Sequence, residues 1–166
     1  MELDALDLHL LSMLHDHPRV GALELSRLAG VARGTVTSRL ARMEDAGVIR
    51  GYEPQIDLRE AGFDVQAFVS LQIAQGRLED VRRGLSQIPE VIEAYATTGD
   101  HDVFCKVAAG SHAGLQQALL AVDTVDGVSR SNSIIVLSEV VPRRLLPLLH
   151  TKDAKAPTRA KPRPRD

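Results

Sequence analysis

The chain has 166 residues, of which 44% are hydrophobic and 3% aromatic, and its net charge is −2. This length and composition suit one ordinary domain or two small ones, and the near-neutral charge does not by itself indicate a nucleic-acid partner. Its single cysteine, Cys105, excludes an internal disulfide and is typical of a reducing compartment, and no run of 18 apolar residues predicts a membrane span. We therefore expect a cytoplasmic protein.

The first third of the chain predicts three short helices. Apolar residues at spacings of three and four predict a helix over residues 4–16, with Asp4 as its N-cap. Similar patterns predict helices over residues 22–29 and 33–46. Short breaks between three such helices are typical of a helix-turn-helix, and residues 48–56 have the composition of a ribbon or wing.

The middle of the chain alternates between strand and helix patterns. The predicted strands and helices, in chain order, cover residues 65–73, 77–88, 91–98, 102–109, 112–123 and 128–138. The order βαββαβ is that of a ferredoxin-like domain with one antiparallel sheet.

These patterns predict an α+β protein with three parts. A winged helix-turn-helix domain covers residues 1–56, a ferredoxin-like domain covers residues 57–145, and a basic, proline-rich tail covers residues 146–166. Within this tail, residues 151–166 carry six Lys or Arg, two Asp and no large apolar side chain. Such a segment cannot bury enough surface to offset its ordering entropy, so we expect disorder, and added non-specific DNA affinity is a further possibility.

The third predicted helix carries side chains suited to DNA. Five Arg and two acidic residues lie between positions 27 and 50, a local charge of +3. Arg can hold phosphate or pair with guanine, and hydroxyl groups can bond either backbone or base. A solvated helix face has a similar composition, so it is the combination with three helices and a wing that favours DNA contact. The predicted DNA-binding residues are Arg33, Thr35, Thr37, Ser38, Arg39 and Arg42.

The order and spacing of several motifs resemble those of the Lrp/AsnC family, the feast/famine regulators, from about residue 3 to residue 141. The segments that carry the resemblance are 3–7, 25–31, 35–40, 43–52, 91–95, 98–102, 127–128 and 134–137. The resemblance implies that the second domain is of the RAM type and forms homodimers, which often close into octamers. It also implies an amino-acid effector bound near the Gly-Asp loop, and control of genes of amino-acid metabolism.

A candidate effector site lies at a predicted strand-turn-strand junction. Gly99 lets backbone amides approach a ligand carboxylate, and the neighbouring aspartates suit an ammonium group. A Gly-Asp pair is also an ordinary hairpin turn, and His101 either replaces an aromatic ring of the family or titrates with the ligand. The predicted effector residues are Thr98, Gly99, Asp100, His101, Asp102, Ser131 and Ser133.

The sequence predicts no catalytic residues, no metal site and no cofactor, because no nucleophile, metal cluster or phosphate loop accompanies the aspartates. We expect a DNA-binding transcription regulator whose DNA affinity or assembly responds to an amino acid. Its expected partners are duplex DNA, the effector and further copies of the chain. Two alternatives remain open. One is an effector-independent architectural DNA-binding protein of the same fold, and the other is an enzyme or enzyme-regulatory subunit with a ferredoxin-like ligand domain.

Overall fold

The computed structural model describes residues 1–151 and divides the chain into two compact units. Of the described residues, the first unit comprises Met1–Pro54 and 141–151, and the second comprises Gln55–Val140. Each unit has a hydrophobic core of its own. Among the described residues, every helix is too short or too polar to cross a lipid bilayer.

Residues 1–54 of the first unit form a three-helix arrangement. Its helices are α1 (Ala5–Asp16), α2 (Ala22–Ala29) and α3 (Arg33–Asp45). Gly30 adopts a left-handed conformation, with φ of 66°, which ends α2 and lets the chain turn into α3. All three helices contribute to one small core, whose fully buried side chains are Leu10, Leu25, Val36 and Met43. The predicted helix-turn-helix is therefore confirmed.

The segment after α3 differs from the expected ribbon. Residues 46–64 contain neither a strand nor a helix, although residues 48–56 were predicted to form a wing. A ribbon needs a second segment to accept and donate its hydrogen bonds, and Pro54 has no backbone N–H to donate. The segment is instead tied to α3 by Tyr52, whose hydroxyl donates to Glu44 Oε1 at 2.6 Å.

The second unit confirms the ferredoxin-like prediction. Its elements are β1 (Val65–Ile73), α4 (Leu78–Leu85), β2 (Val91–Ala96), β3 (Val103–Ala109), α5 (His112–Asp123) and β4 (Val128–Ile135). The strands form one antiparallel sheet in the order β2-β3-β1-β4. The two split βαβ halves thus share one sheet, with β1 and β3 at its centre.

The sheet has one covered face and one open face. On the covered face, Val69 and Leu71 of β1 are fully buried in one cluster with side chains of α4 and α5. Cys105 lies in the same cluster, and burial raises the pKa of its thiol to about 11. Strand residues alternate between faces, so the register of β1 with β3 and β4 defines the opposite, open face. Its residues are Gln66, Phe68, Ser70 and Gln72 of β1, Phe104 and Lys106 of β3, and Arg130, Asn132 and Ile134 of β4.

The start of the predicted tail is structured, which corrects its boundary. A short helix, α6 (Leu146–His150), belongs to the first unit and lies against α1. Leu146 and Leu149 are half-buried, and His150 Nε2 lies 3.3 Å from the Ser12 hydroxyl. These two leucines are three residues apart, so they lie on one side of the short helix. The prediction of disorder rested on the composition of residues 151–166, which follow them in the chain. The predicted disorder of residues 152–166 falls outside the described residues.

Gly127 is required at the turn into β4, and its substitution tests the packing of the second unit. Its φ is 97°, and an added Cβ would lie 2.8 Å from Arg77 Cβ and 3.1 Å from Val81 Cγ2. Gly127→Ala should therefore lower the free energy of unfolding by about 3 kcal/mol, from backbone strain and steric overlap together. Chemical denaturation measures this loss.

Gly76 supplies the matched control. Its φ is 79°, but an added Cβ would meet nothing within 4 Å. Gly76→Ala should cost about 1 kcal/mol, from backbone strain alone. Equal losses for the two variants would contradict the close packing of Gly127 against α4.

Candidate functional site

A buried carboxylate joins α1 to α3. Asp7 is fully buried, and it accepts hydrogen bonds from Arg42 Nη2 at 2.6 Å and Arg39 Nη1 at 3.1 Å. Its third donor is the backbone N–H of Asp4, at 3.1 Å. Asp4 is the N-cap of α1, receives a bond from the Asp7 N–H, and pairs with the same Arg39 guanidinium. We call Asp4, Asp7, Arg39 and Arg42 the Asp7 clamp.

The clamp combines helix capping with ion pairing. A buried charge is destabilising unless it is paired and hydrogen-bonded, and the Asp7 carboxylate has three donors. The hydrogen bond from Arg39 is the main reason that the pKa of Asp4 lies below its usual value, and the same contact raises the pKa of Arg39. Asp4 is thus stabilised in its charged form, and the contacts of both carboxylates fix the rotation of α3 against α1.

The other four predicted DNA-binding residues are exposed on α3. Arg33, Thr35, Thr37 and Ser38 are all exposed, while Val36 and Met43 on the opposite side are buried in the core. The Thr37 hydroxyl donates to the Arg33 carbonyl at 3.1 Å and keeps its lone pairs for another partner. The structure therefore separates the six predicted residues into four on an open surface and two, Arg39 and Arg42, engaged in the Asp7 clamp.

The N-terminus of α3 is uncapped. Ala32 offers no side-chain acceptor, and among the described residues no group accepts a hydrogen bond from the N–H of Arg33 or Gly34. The first N–H groups of a helix carry partial positive charge and suit an anion. The Arg33 side chain adds a full positive charge at the same end.

A polar cleft of about 350 Å³ opens at one end of the sheet in the second unit. Four of its residues, Ser70, Gln72, Arg130 and Asn132, come from the open face of β1 and β4. The remaining lining residues are Asp100, His101 and Ser131. We call this site the effector cleft, after the sequence prediction that it overlaps.

Hydrogen bonds between side chains and backbone groups fix the β2–β3 loop beside the cleft. The Gln72 side-chain amide donates to the Asp100 carbonyl at 3.1 Å, and the Thr97 hydroxyl donates to the His101 carbonyl at 2.8 Å. Asp102 is bonded at both ends, since its N–H donates to the Leu71 carbonyl and its Oδ2 accepts from the Ile73 N–H at 2.9 Å. Asp102 therefore anchors the loop to β1.

Several polar groups in the cleft have no partner among residues 1–151. The side chains of Arg130 and Asp100 make neither an ion pair nor a hydrogen bond there, with each other or with any other described residue. The Nδ1 atom of His101 is buried and likewise unbonded. An unpaired cation and an unpaired anion thus line one cleft without neutralising each other.

The cleft brings together only some of the predicted effector residues. Asp100, His101 and Ser131 line it, whereas Thr98, Gly99 and Ser133 do not, and Asp102 is used by the loop. Ser131 and Ser133 share one side of β4, as alternation required, but they pair with Leu71 and Val69 of the covered face. The sequence pattern did not predict Ser70, Gln72, Arg130 and Asn132, because their meeting depends on the register between β1 and β4. Among the described residues, no group of three His, Cys, Asp or Glu side chains is placed to hold a metal ion.

Two family models match the chain. A model described as winged helix-turn-helix DNA-binding matches residues 3–50, and one described as Lrp/AsnC ligand binding domain matches residues 66–146. The first match covers α1, α2 and α3, and the second covers the sheet and the effector cleft.

Named relatives and solved structures agree with these matches. The regulatory protein AsnC of Escherichia coli is 31% identical over 147 residues, which are 87% of this chain and 97% of AsnC. The transcriptional regulator FL11 of Pyrococcus furiosus is 29% identical over 81% of this chain and 89% of its own. The structure of E. coli AsnC superposes with a TM-score of 0.81 at 30% identity, over 89% of this chain and all of that one. A Neisseria meningitidis transcriptional regulator in complex with L-Met has a TM-score of 0.80 at 27% identity, over 90% and 99% of the two chains.

The Asp7 clamp makes a prediction about stability. Asp7→Asn removes the buried charge, and the two guanidinium groups, whose side chains are 27% and 49% exposed, are partly rehydrated. We expect the free energy of unfolding of the first unit to fall by about 2 kcal/mol, less than for a fully buried pair. Thermal unfolding followed by circular dichroism measures the change.

Asp16→Asn is the control for this variant. Asp16 lies on the same helix, is exposed and makes no ion pair with any described residue. Its replacement should change the stability by less than about 0.5 kcal/mol. If Asp7→Asn were as mild, the clamp would not hold α1 to α3.

Proposed function

Because the chain belongs to the Lrp/AsnC family of transcriptional regulators, we propose that the exposed face of α3 reads duplex DNA and that the effector cleft binds an amino acid. The protein is a DNA-binding regulator that responds to an effector, as are the family to which it belongs and its named relatives. The DNA assignment depends on the Asp7 clamp. The clamp orients α3 so that one side of the helix packs in the core and the other side is exposed.

The exposed face of α3 has the dimensions and chemistry of a recognition surface. A helix of 13 residues is about 20 Å long, and the major groove is wide enough to admit an α-helix. Thr35, Thr37 and Ser38 present hydroxyl groups that suit either base edges or phosphates. The uncapped N-terminus of α3 and the Arg33 side chain meet a phosphate at the groove edge, which supplies the cap that Ala32 lacks.

We assign Arg39 a different role from the other predicted DNA-binding residues. Its guanidinium is bonded to both Asp4 and Asp7 through Nη1, and its side chain is 27% exposed against 49% for Arg42, so it is the less available of the two for a base contact. Arg39 positions α3 and does not read DNA. Arg42 is half-exposed and bonds Asp7 through Nη2, so its remaining donors can reach a phosphate while the clamp stays intact.

The effector cleft matches the two charged ends of an amino acid. Arg130 suits the carboxylate through charge-assisted hydrogen bonds, and Asp100 suits the ammonium. The Neisseria relative, whose complex contains L-Met, supports an amino acid as the class of ligand. The unpaired state of Arg130 and Asp100 is the observation that favours this cleft over the turn residues Thr98 and Gly99.

The open face of the sheet is the surface that we propose for self-association. Phe68 and Phe104 stack there with ring centroids 5.5 Å apart, and Ile134 pairs with Phe68 across the strands. Phe68 is 38% exposed and Ile134 is 57% exposed, which leaves an apolar patch uncovered. The effector cleft opens on the same face, so a ligand bound there alters the surface through which two copies meet. This shared face couples the effector to assembly and thereby to the spacing of two α3 helices on DNA.

DNA reading by α3 is tested with Arg33→Ala. Loss of one phosphate contact should weaken binding to duplexes of any sequence and reduce the slope of log affinity against log salt by about 1. Fluorescence anisotropy with labelled duplexes at several salt concentrations measures both quantities. Arg59→Ala removes the same charge from an exposed position of the second unit and should leave the slope unchanged. Equal slopes for wild type and Arg33→Ala would exclude a phosphate contact at this end of α3.

The effector cleft is tested with Arg130→Gln. Isothermal titration of the intact protein with each of the twenty amino acids should find at least one ligand, and the variant should bind it about tenfold or more weakly, because a charge-assisted bond is lost. Arg83→Gln, on the exposed side of α4, should bind normally. If none of the twenty binds although the protein still binds DNA, the architectural alternative replaces the effector-responsive one.

A further inference from the structure

We propose that residues 143–166 form a second DNA-contacting element, which holds the phosphate backbone beside the groove that α3 occupies. We call this segment the basic arm. The inference rests on the proposed reading of duplex DNA by α3, and it adds a separate source of affinity that does not depend on base sequence. The described part of the arm, residues 143–151, shows where the arm leaves the first unit, and the sequence gives its charge.

The first observation is the uneven distribution of charge along the chain. Residues 1–142 carry 12 Lys or Arg and 20 Asp or Glu, a net charge of −8. The basic arm carries eight Lys or Arg and two Asp, a net charge of +6. Duplex DNA carries one negative charge per about 1.7 Å of its axis, so it repels the rest of the chain on average and attracts the arm.

The second observation is that α3 and its neighbours offer few free cations. Three of the five arginines between positions 27 and 50 are ion-paired within the first unit, and two make no ion pair with a described residue. The paired ones are Arg27, Arg39 and Arg42, and the others are Arg33 and Arg50. Phosphate contacts by Lys and Arg supply most of the non-specific affinity for DNA. Even with the spare donors of Arg42, this region needs further cations to offset the acidic remainder of the chain.

The third observation is that α6 attaches the basic arm to the DNA-binding unit. Helix α6 belongs to the first unit and lies against α1, where His150 Nε2 is 3.3 Å from the Ser12 hydroxyl. Arg143 and Arg144, just before α6, are exposed and make neither an ion pair nor a hydrogen bond with any described residue. The other six cations of the arm follow α6 directly, beginning at Lys152. Free positive charge therefore flanks α6 on both sides.

The arm is long enough to reach DNA that is bound by α3. The first unit has about 65 described residues, and a compact unit of that size has a radius of gyration of about 11 Å. Residues 152–166 can span at most about 50 Å from the end of α6. A tether of this length keeps the cations at a high local concentration near any duplex that lies against α3.

The acidic surface of the protein itself is the competing partner of the arm. Its carboxylates are distributed over both units, and several of them already have an arginine partner. Exposed ion pairs contribute little, whereas several adjacent phosphates release their condensed counterions together when cations replace them. The denser charge of DNA therefore favours DNA as the partner.

Neutralising the arm tests the inference with the intact chain. Fluorescence anisotropy is measured with two labelled duplexes of unrelated sequence at several salt concentrations. If half of the six replaced cations contact phosphates, the slope of log affinity against log salt should fall by about 3, and the affinity at low salt by about tenfold or more. Both duplexes should be affected equally, because phosphate contacts carry no sequence information. The substitutions are Lys152→Gln, Lys155→Gln, Arg159→Gln, Lys161→Gln, Arg163→Gln and Arg165→Gln.

A shuffled arm is the control for this variant. It keeps the composition of residues 152–166 in a different order and should bind both duplexes as the wild type does, since the charge and not the order of the residues matters. A wild-type slope for the neutralised arm, or a loss confined to one of the two duplexes, would overturn the inference.

The described part of the arm is tested separately. Arg143→Gln combined with Arg144→Gln should lower the salt slope by about 1 to 2, because both cations lie next to α6. Arg59→Gln combined with Arg83→Gln removes two charges from exposed positions of the second unit and should leave the slope unchanged. If the two pairs behaved alike, α6 would not place the arm beside DNA, and the inference would fail.

The outcomes also separate the basic arm from the proposed function. If the neutralised arm keeps the wild-type slope while Arg33→Ala lowers it, α3 contacts DNA and the arm does not. If the neutralised arm loses affinity while Arg33→Ala keeps the wild-type slope, the arm stands and the phosphate contact at α3 is wrong. If the wild type binds neither duplex at low salt, both are wrong.

Discussion

The first unit depends on one buried carboxylate. Among the described residues, its core has four fully buried apolar side chains, with eleven partly buried ones packed against them. Apolar packing is not directional, whereas Asp7 adds a directional constraint, because a buried charge tolerates only the arrangement that keeps its donors in place. Since those donors come from the N-cap of α1 and from two turns of α3, capping and ion pairing fix the same geometry. The surface that α3 offers to DNA is the consequence.

The second unit is built on a sheet with one covered face and one open face. The covered face builds the core against α4 and α5, so the fold does not need the open face for stability. The open face can therefore carry stacked aromatic rings at its centre and unpaired polar groups at its end. A ligand that neutralises those groups changes the same surface that a second copy would cover. Couplings of about 1–3 kcal/mol are typical of such linked equilibria, and they are large enough to change DNA occupancy several-fold.

Local sequence patterns predicted the helices and strands, but they could not predict contacts between residues far apart in the chain. The helices at 5–16, 22–29 and 33–45 and the βαββαβ order follow from spacing, and Asp4 was identified as an N-cap from the residues around it. The link from Asp7 to Arg39 spans 32 positions, so the arginines were assigned to DNA by composition alone. Arg130 and Asn132 were missed because only the register of β4 against β1 places them beside the loop. The sequence held one sign of the clamp. Arg39 and Arg42 are three residues apart on one predicted helix, and Asp4 and Asp7 are three residues apart on another.

The most direct test of this account is a double-mutant cycle of Asp7→Asn and Arg39→Gln, with duplex DNA affinity measured by anisotropy below the melting temperatures of all four proteins. If Arg39 acts on DNA only by positioning α3 through Asp7, each single variant weakens binding and the double variant is little worse than either. A coupling of about 1 kcal/mol or more in that direction is the predicted result. Additive losses, within about 0.5 kcal/mol, would mean that Arg39 contacts DNA directly and would contradict the account.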